Sequence, residues 1–128
     1  QMSISVDDQE AMEFDGDGIV LSTPTGTTAY SMSAGGPIVE PGAENIIVTP
    51  ICAHSMSIRS LVLSRERTVA TRIGRIGKRS AFLSVDGGIA FRLSAEDEVI
   101  VTASNRSIQL IRLKDTSFYG VLNHKFQG

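Results

Sequence analysis

The sequence predicts a mainly β domain, a two-layer β-sandwich-like structure with one short interior helix and a short C-terminal helix. Short runs of branched apolar residues recur along the 128 residues, and few segments show helical periodicity. Turn signals at Asp15-Gly16, Asp86-Gly87-Gly88 and Asn105-Arg106 separate these runs, because such residues tolerate the positive φ that tight hairpins need. Many short strands joined by short turns favour antiparallel pairing in two layers.

The strands are predicted from runs that alternate in polarity or carry branched side chains. They cover residues 4–6, 18–22, 46–49, 68–73, 81–85, 89–93, 98–103 and 107–113. The interior helix is expected to start at an N-cap, Thr27 or Thr28, to continue through Ala29, Tyr30, Met32 and Ser33, and to stop at Gly35-Gly36-Pro37. The second helix is expected at 118–125, where Phe118, Val121, Leu122 and Phe126 share a face.

Length and composition indicate one folded domain over residues 1–128. This length is enough for one hydrophobic core and too short for two ordinary domains, and 41% apolar with 20% charged residues is typical of a globular chain. No stretch approaches the ~20 apolar residues of a membrane helix, so the sequence predicts a cytoplasmic protein without a membrane partner. The single cysteine, Cys52, has no disulfide partner and is expected to be a small buried apolar residue.

Charge is distributed unevenly, although the net charge of −2 gives no overall attraction to nucleic acid. Acids crowd the start of the chain at Asp7, Asp8, Glu10, Glu13, Asp15 and Asp17. Bases crowd the middle at Arg59, Arg65, Arg67, Arg72, Arg75, Lys78 and Arg79. The two clusters either face each other or ligands, or are simply solvated surfaces. The stretch 72–79 is expected to form a hairpin arm that contacts a neighbouring subunit or ligand phosphates, and no nucleic-acid partner is predicted.

The segment from Asp15 to Pro37 is richer in glycine and hydroxyl groups than a structural strand needs. A strand followed by a Pro-Thr-Gly turn and a helix start leaves backbone N–H groups free to bind phosphate or nucleotide oxygens. The alternative is a glycine-rich structural turn that caps a helix and binds nothing.

The same segment resembles the signature of NAD kinases, in which a Gly-Asp-Gly strand leads into Thr-Pro-Thr-Gly-Ser/Thr-Thr-Ala-Tyr-Ser-Leu-Ser-Ala-Gly-Gly-Pro. The resemblance continues through residues 49–57, through Arg59 with 61–63, and through 84–87. It implies the C-terminal, NAD-binding part of an enzyme that phosphorylates the 2′-hydroxyl of the adenosine ribose of NAD to make NADP. It further implies ATP or polyphosphate as phosphoryl donor, Mg²⁺ or another divalent metal, and a homodimer or homotetramer.

The resemblance also implies which residues bind NAD. They are Asp17, Thr25, Thr28, Ala29, Tyr30, Ser31, Met32 and Ser33, with Asp15, His54 and Gly88 as secondary members. An aromatic face at Tyr30 would stack on a base, and Asp17 would accept hydrogen bonds from an amine or a hydroxyl. The structural alternatives are a core tyrosine at Tyr30, plain turn formation at Asp15, and a structural histidine at His54. Gly88 stands where many bacterial members carry an NAD-contacting glutamine.

The catalytic aspartate of the family lies in a Gly-Gly-Asp-Gly-Thr motif of an upstream α/β half, together with an Asn-Glu pair. This sequence contains neither, so it is expected to hold no catalytic residue and no metal ligand. The sequence also suggests three rival functions. A serine hydrolase fails because Ser31 stands where the G-x-S-x-G elbow around Ser33 needs glycine. The related β-sandwich half of a lipid kinase would need an apolar pocket. A non-catalytic oligomerising module stays open.

Overall fold

The computed structural model describes residues 1–109, 111, 113–114 and 117–127. In these residues, nine strands and two α-helices follow one another, with a 3₁₀ turn at Thr25–Thr28. The strands are β1 Met2–Val6, β2 Gln9–Phe14, β3 Gly18–Ser22, β4 Asn45–Ile51, β5 Leu61–Ser64, β6 Val69–Ile73, β7 Ala81–Leu83, β8 Phe91–Leu93 and β9 Glu98–Val101. The helices are α1 Tyr30–Ser33 and α2 Phe118–Phe126.

The strands form two larger antiparallel sheets and a separate hairpin. One sheet has the order β2-β1-β6-β9, the other has the order β3-β4-β5, and β7 pairs with β8. The core lies between the two larger sheets, where Ile4, Phe14 and Val69 of the first sheet pack against Ile46 and Val48 of the second. The predicted two-layer, mainly β architecture is therefore confirmed.

Strand β4 is buried on both of its faces. Since successive side chains of a strand point to opposite sides, Ile46 and Val48 enter the core while Ile47 and Thr49 point to the outer face. Both outward residues are nevertheless buried. The part of the glycine-rich segment that follows β3, residues 25–37, covers this outer face. This packing fixes the position of the segment on the sheet.

Several element bounds differ from the sequence-based prediction. Strands β2 and β5 were not predicted. Among the described strands, β2 pairs only with β1, at the edge of its sheet. Its acids face solvent, while Met12 and Phe14 pack inward. The predicted strands 81–85 and 89–93 are shorter, because the turn between them is wider. Residues 107–109 of the predicted strand 107–113 form no strand, and residues 110 and 112 lie outside the described residues.

The C-terminal helix is close to its prediction. Helix α2 begins after Ser117, whose hydroxyl accepts a hydrogen bond from the Gly120 N–H at 3.0 Å, as an N-cap residue should. The Tyr119 hydroxyl donates to the carboxylate of Glu40, which lies in the connection between α1 and β4. This bond and the Glu40 charge raise the pKa of Tyr119.

The turn between β1 and β2 is held by a carboxylate. Asp7 and Asp8 both have positive φ, and the Asp7 carboxylate accepts hydrogen bonds from the Thr68 N–H at 2.8 Å and from Arg67 at 3.0 Å. The Thr68 N–H and then the Arg67 guanidinium lower the pKa of Asp7 below its ordinary value. The charged form of Asp7 is thus favoured in the folded state.

We expect Asp7→Asn to lower stability at neutral pH and to make little difference in acid. Because the pKa of Asp7 is lower in the folded than in the unfolded chain, its contribution is present above the unfolded value of 3.8 and is lost as pH falls through the lowered value. Urea unfolding of both proteins from pH 6 down to pH 2 measures this convergence. Asp8→Asn in the same turn is the control, and a deficit for Asp7→Asn that stays constant with pH would contradict the expectation.

Candidate functional site

The glycine-rich segment is anchored at its start by Thr27. This buried threonine donates its hydroxyl to the Pro24 carbonyl at 2.6 Å and accepts a hydrogen bond from the Val39 N–H at 3.1 Å. The 3₁₀ turn is thereby tied to the chain that leaves α1. The predicted N-cap at Thr27 or Thr28 is wrong, because neither helical start has a side-chain cap and the threonine hydroxyl bonds back into its own turn.

The end of α1 has the predicted glycine stop. Gly35 has a φ of +85°, its N–H donates to the Met32 carbonyl, and the Gly36 N–H donates to the Ser31 carbonyl, both at 2.9 Å. This pair of hydrogen bonds is a Schellman motif. Gly36 lies so close to the sheet that a Cβ atom would be 2.6 Å from the hydroxyl oxygens of Ser31 and Thr49. Only glycine allows α1 to sit this near β4.

Helix α1 is fixed to the sheet by a buried hydroxyl pair. The Oγ of Ser31 lies 3.1 Å from the Oγ1 of Thr49, and Ser31 is 1% exposed. Its hydroxyl therefore contacts the sheet. The preceding residue, Tyr30, is 62% exposed, which excludes the alternative of a core tyrosine. The remaining site residues predicted in this segment have solvent-accessible surface; Thr25, Ala29 and Ser33 are exposed, and Thr28 and Met32 are half-buried.

The Asp15-Gly16-Asp17 turn lies against the loop that follows β4. The His54 N–H donates to the Asp15 carbonyl at 2.8 Å, and the Asp17 N–H donates to the Ile51 carbonyl at 3.0 Å. A Cβ atom on Gly16 would lie within 3.1 Å of Phe14, of the Ile51 carbonyl and of Ala53. These contacts bring the two acids and His54 together at one end of β3 and β4, with all three residues exposed.

A cavity of about 350 Å³ lies beside this turn, between the end of α1 and the loop after β4. It is lined by Ala34, Gly35, Pro50, Cys52, Ala53, Ser55, Met56, Ile58, Arg59 and Ser60. The predicted buried role of Cys52 is wrong: the residue is exposed, with a φ of +47°, because the chain turns out of the sheet directly after β4. Two of the lining residues, Ala53 and Ser55, flank His54 in sequence.

The predicted site residues extend along the sheet instead of meeting in one pocket. Gly18 pairs with Ile51 and Ser22 pairs with Ile47, so the Asp17 end and the Thr25 end of β3 are separated by four residues. At the usual rise of a strand this is about 13 Å. Helix α1 returns from the Thr25 end toward the cavity, which places Tyr30 and Ser33 between the two ends. An elongated ligand fits this arrangement better than a compact one.

Gly88 ends a four-residue turn, 85–88, within the wider connection between β7 and β8. Its N–H donates to the Val85 carbonyl at 2.9 Å, and Asp86 and Gly87 both have positive φ. The Ser84 hydroxyl donates to the Gly88 carbonyl at 3.3 Å. Within the described part of the chain, no hydrogen bond or ion pair joins this turn to Asp17 or Tyr30. The described hydrogen bonds and ion pairs therefore do not link Gly88 to these two site residues.

The basic stretch 72–79 is a strand end and a turn, so its predicted hairpin arm is wrong. Arg72 belongs to β6 and pairs with Glu98 of the neighbouring strand β9. Gly77 turns the chain with a φ of +64° before the β7–β8 hairpin begins. Arg79 reaches back to Asp17, with 4.0 Å between its Nη1 and the Asp17 Oδ1. The acidic and basic clusters do face each other here, a contact that the sequence left open.

The described residues show neither a metal site nor a membrane-spanning helix. They contain no group of three or more His, Cys, Asp or Glu side chains arranged to hold a metal ion. Neither of the helices found in these residues has the length and apolar character needed to cross a bilayer.

The architecture defines a two-layer β-sandwich-like domain with a glycine- and hydroxyl-rich helical segment on its outer face. Comparison with known proteins identifies the family. The chain belongs to the family described as ATP-NAD kinase C-terminal domain, whose family model matches residues 1–113. The family resemblance seen in the sequence is thus confirmed.

Individual relatives agree with this assignment. The chain is 39% identical to an NAD kinase of Lachnoclostridium phytofermentans, with 98% of this chain and 45% of the relative aligned. It is 43% identical to an NAD kinase of Caldicellulosiruptor bescii, with 98% of this chain and 48% of the relative aligned. The chain therefore spans less than half the length of these two relatives.

Solved structures of similar proteins share the fold. A yeast NADH kinase complexed with NADH matches 79% of this chain and 29% of its own, with a TM-score of 0.73 and 41% identity. An NAD kinase from Archaeoglobus fulgidus in complex with ATP matches 81% of this chain and 39% of its own, with a TM-score of 0.71 and 29% identity. These proteins are NAD or NADH kinases, which gives the lipid-kinase alternative no support.

Proposed function

We propose that the full-length protein transfers a phosphoryl group to the 2′-hydroxyl of the adenosine ribose of NAD, and that this chain binds the NAD. Membership in the NAD kinase family supports the reaction. The proposed binding role depends on the exposure of Tyr30, whose aromatic ring lies on a short helix that is hydrogen-bonded to the sheet. An exposed ring on a fixed support is suited to stack on a flat base.

The support under Tyr30 reduces the entropic cost of binding. The buried Ser31–Thr49 hydroxyl pair, the Thr27 anchor and the close packing of Gly36 hold α1 before any ligand arrives. A pre-organised contact surface loses less conformational freedom on binding than a mobile one. By analogy with stacking in nucleic-acid sites, the ring contributes about 1 to 3 kcal/mol.

The other proposed contacts divide by chemistry. Asp17 accepts hydrogen bonds from a nucleotide amine or hydroxyl, and Asp15 is a secondary member at the same turn. His54 donates to a phosphate or to the nicotinamide amide. The hydroxyls of Thr25, Thr28 and Ser33 bond ribose or amide groups, while Ala29 and Met32 supply apolar surface. Gly88 offers only its backbone where a glutamine side chain is expected.

ATP or polyphosphate is the proposed phosphoryl donor, and the ATP complex of the Archaeoglobus fulgidus kinase supports the first of these. The family implies Mg²⁺ or another divalent metal, but the described residues do not fit a metal site, so we derive no step through it. A cytoplasmic location and a homodimer or homotetramer complete the proposal. Chromatography with and without NAD tests whether assembly and ligand binding are linked.

We expect Tyr30→Ala in the full-length protein to weaken NAD binding by about 5- to 150-fold, because it removes the stacking surface. The melting temperature should change little, since the ring is 62% exposed. Calorimetric titration with NAD, together with thermal unfolding, measures both quantities.

The matched control is Tyr119→Ala, which removes a tyrosine of similar exposure, 60%, on the surface of α2. Its NAD affinity should equal that of the wild type. Unchanged NAD affinity in Tyr30→Ala would refute the proposed stacking role of Tyr30.

A further inference from the structure

The ion pair between Arg79 and Asp17 differs from two other arginine–carboxylate ion pairs in the described residues. Arg67 pairs with Asp7, which also caps the backbone of Thr68, and Arg72 pairs with Glu98 on the neighbouring strand. Those acids hold strands and turns in place. Asp17 is instead a proposed ligand-binding acid, so its arginine lies beside the ligand.

The local backbone presents Arg79 at this place. The chain turns at Gly77, and the Arg79 N–H closes the turn by donating to the Ile76 carbonyl at 3.2 Å. The side chains of Arg79 and Asp17 are 73% and 59% exposed, and their charged atoms are 4.0 Å apart. An ion pair so long and so exposed to water is weak, and its partners can exchange.

Charge balance at the Asp15-Gly16-Asp17 turn calls for such a cation. Asp15 and Asp17 both carry exposed carboxylates, whereas a dinucleotide carries a negatively charged pyrophosphate. Placing that anion beside two carboxylates is unfavourable unless a positive group stands nearby. Arg79 is the basic side chain that the described ion pairs place at this turn.

We propose that Arg79 binds a phosphate of the dinucleotide, exchanging its contact with Asp17 for one with the pyrophosphate oxygens. This inference rests on the proposed NAD-binding function. The planar guanidinium presents paired N–H donors that match two phosphate oxygens, which the ammonium of lysine cannot do. Asp17, released from Arg79, then accepts hydrogen bonds from the nucleoside. Because the arginine side chain is long and exposed, the exchange needs no movement of the backbone.

The test measures NAD affinity by calorimetry in the full-length protein. Arg79→Ala should weaken NAD binding about tenfold, and Arg79→Lys should weaken it less, since it keeps the charge and loses the fork. Arg75→Ala removes a charge from the same loop and is the matched control, with a change of at most about twofold expected. The salt dependence of the dissociation constant should be smaller in Arg79→Ala than in the wild type.

An Asp17→Asn background separates direct from indirect action. If Arg79 contacts the ligand, Arg79→Ala still weakens NAD binding when Asp17 has lost its charge. If Arg79 only positions Asp17, the second substitution has no further effect, and the proposal is overturned. Equal affinities for the wild type and Arg79→Ala overturn it as well. Failure of the wild-type protein to bind NAD is a separate result that removes the proposed function itself.

Discussion

The isolated 128-residue chain should form no detectable NADP from NAD, although it carries the residues proposed to hold NAD. The family resemblance assigns the base that activates the ribose 2′-hydroxyl to a Gly-Gly-Asp-Gly-Thr motif, which this sequence does not contain. General-base assistance is worth about 10²- to 10⁴-fold in rate. Correct positioning of the two reactants contributes effective molarities of about 10⁵ to 10⁸ M. Loss of both should bring turnover below detection.

The measurement is an assay of NADP formation with ATP or polyphosphate and Mg²⁺, run on this chain and on the full-length protein. The full-length protein is expected to be active, and calorimetry on the isolated chain reports whether weak NAD binding remains. Robust NADP formation by the isolated chain would contradict the expectation. In that case Asp17 would be the first residue to test as the base, by Asp17→Asn in the same assay.

The fold could be predicted where a strand has a strong apolar pattern. Strands β3, β4 and β6 are runs of branched residues close to their predicted bounds, because their side chains are required by the core or by the outer cover of β4. Strand β2 was missed because acids alternate along it with Met12 and Phe14, which resembles a polar loop until its edge position is known. Edge pairing is a tertiary property and leaves little signal in local sequence.

The candidate site shows the same division between local and long-range information. The glycine stop at Gly35 follows from local backbone chemistry and was predicted. The exposure of Cys52 depends on how the chain leaves β4, and the Arg79–Asp17 ion pair joins residues far apart in sequence. The unequal charge distribution suggested that the two clusters meet, but it did not identify the pairs. Identifying Arg79 as the basic residue that pairs with Asp17 required the folded structure.

Gly36→Ala should be among the most damaging single substitutions in the candidate site. The new methyl carbon would lie 2.6 Å from the Oγ of Ser31, 2.6 Å from the Oγ1 of Thr49 and 2.8 Å from the Ser31 carbonyl. The carbonyl is backbone, so relief requires α1 to move off β4 and the buried hydroxyl pair to open. Overpacking of this kind costs about 3 kcal/mol, which lowers the melting temperature by about 10 °C. NAD affinity of the full-length protein should fall as well, because α1 carries Tyr30.

Gly42→Ala is the matched control, because no atom lies within 4 Å of its added methyl group. The same chemical change there should leave stability unchanged or slightly raised, since alanine restricts the unfolded chain more than glycine does. Thermal unfolding of the two variants and calorimetry with NAD give the comparison. If Gly36→Ala melts at the temperature of Gly42→Ala and binds NAD equally well, α1 is not packed against β4 as tightly as the distances indicate. Tyr30 would then lack the rigid support on which its proposed stacking role depends.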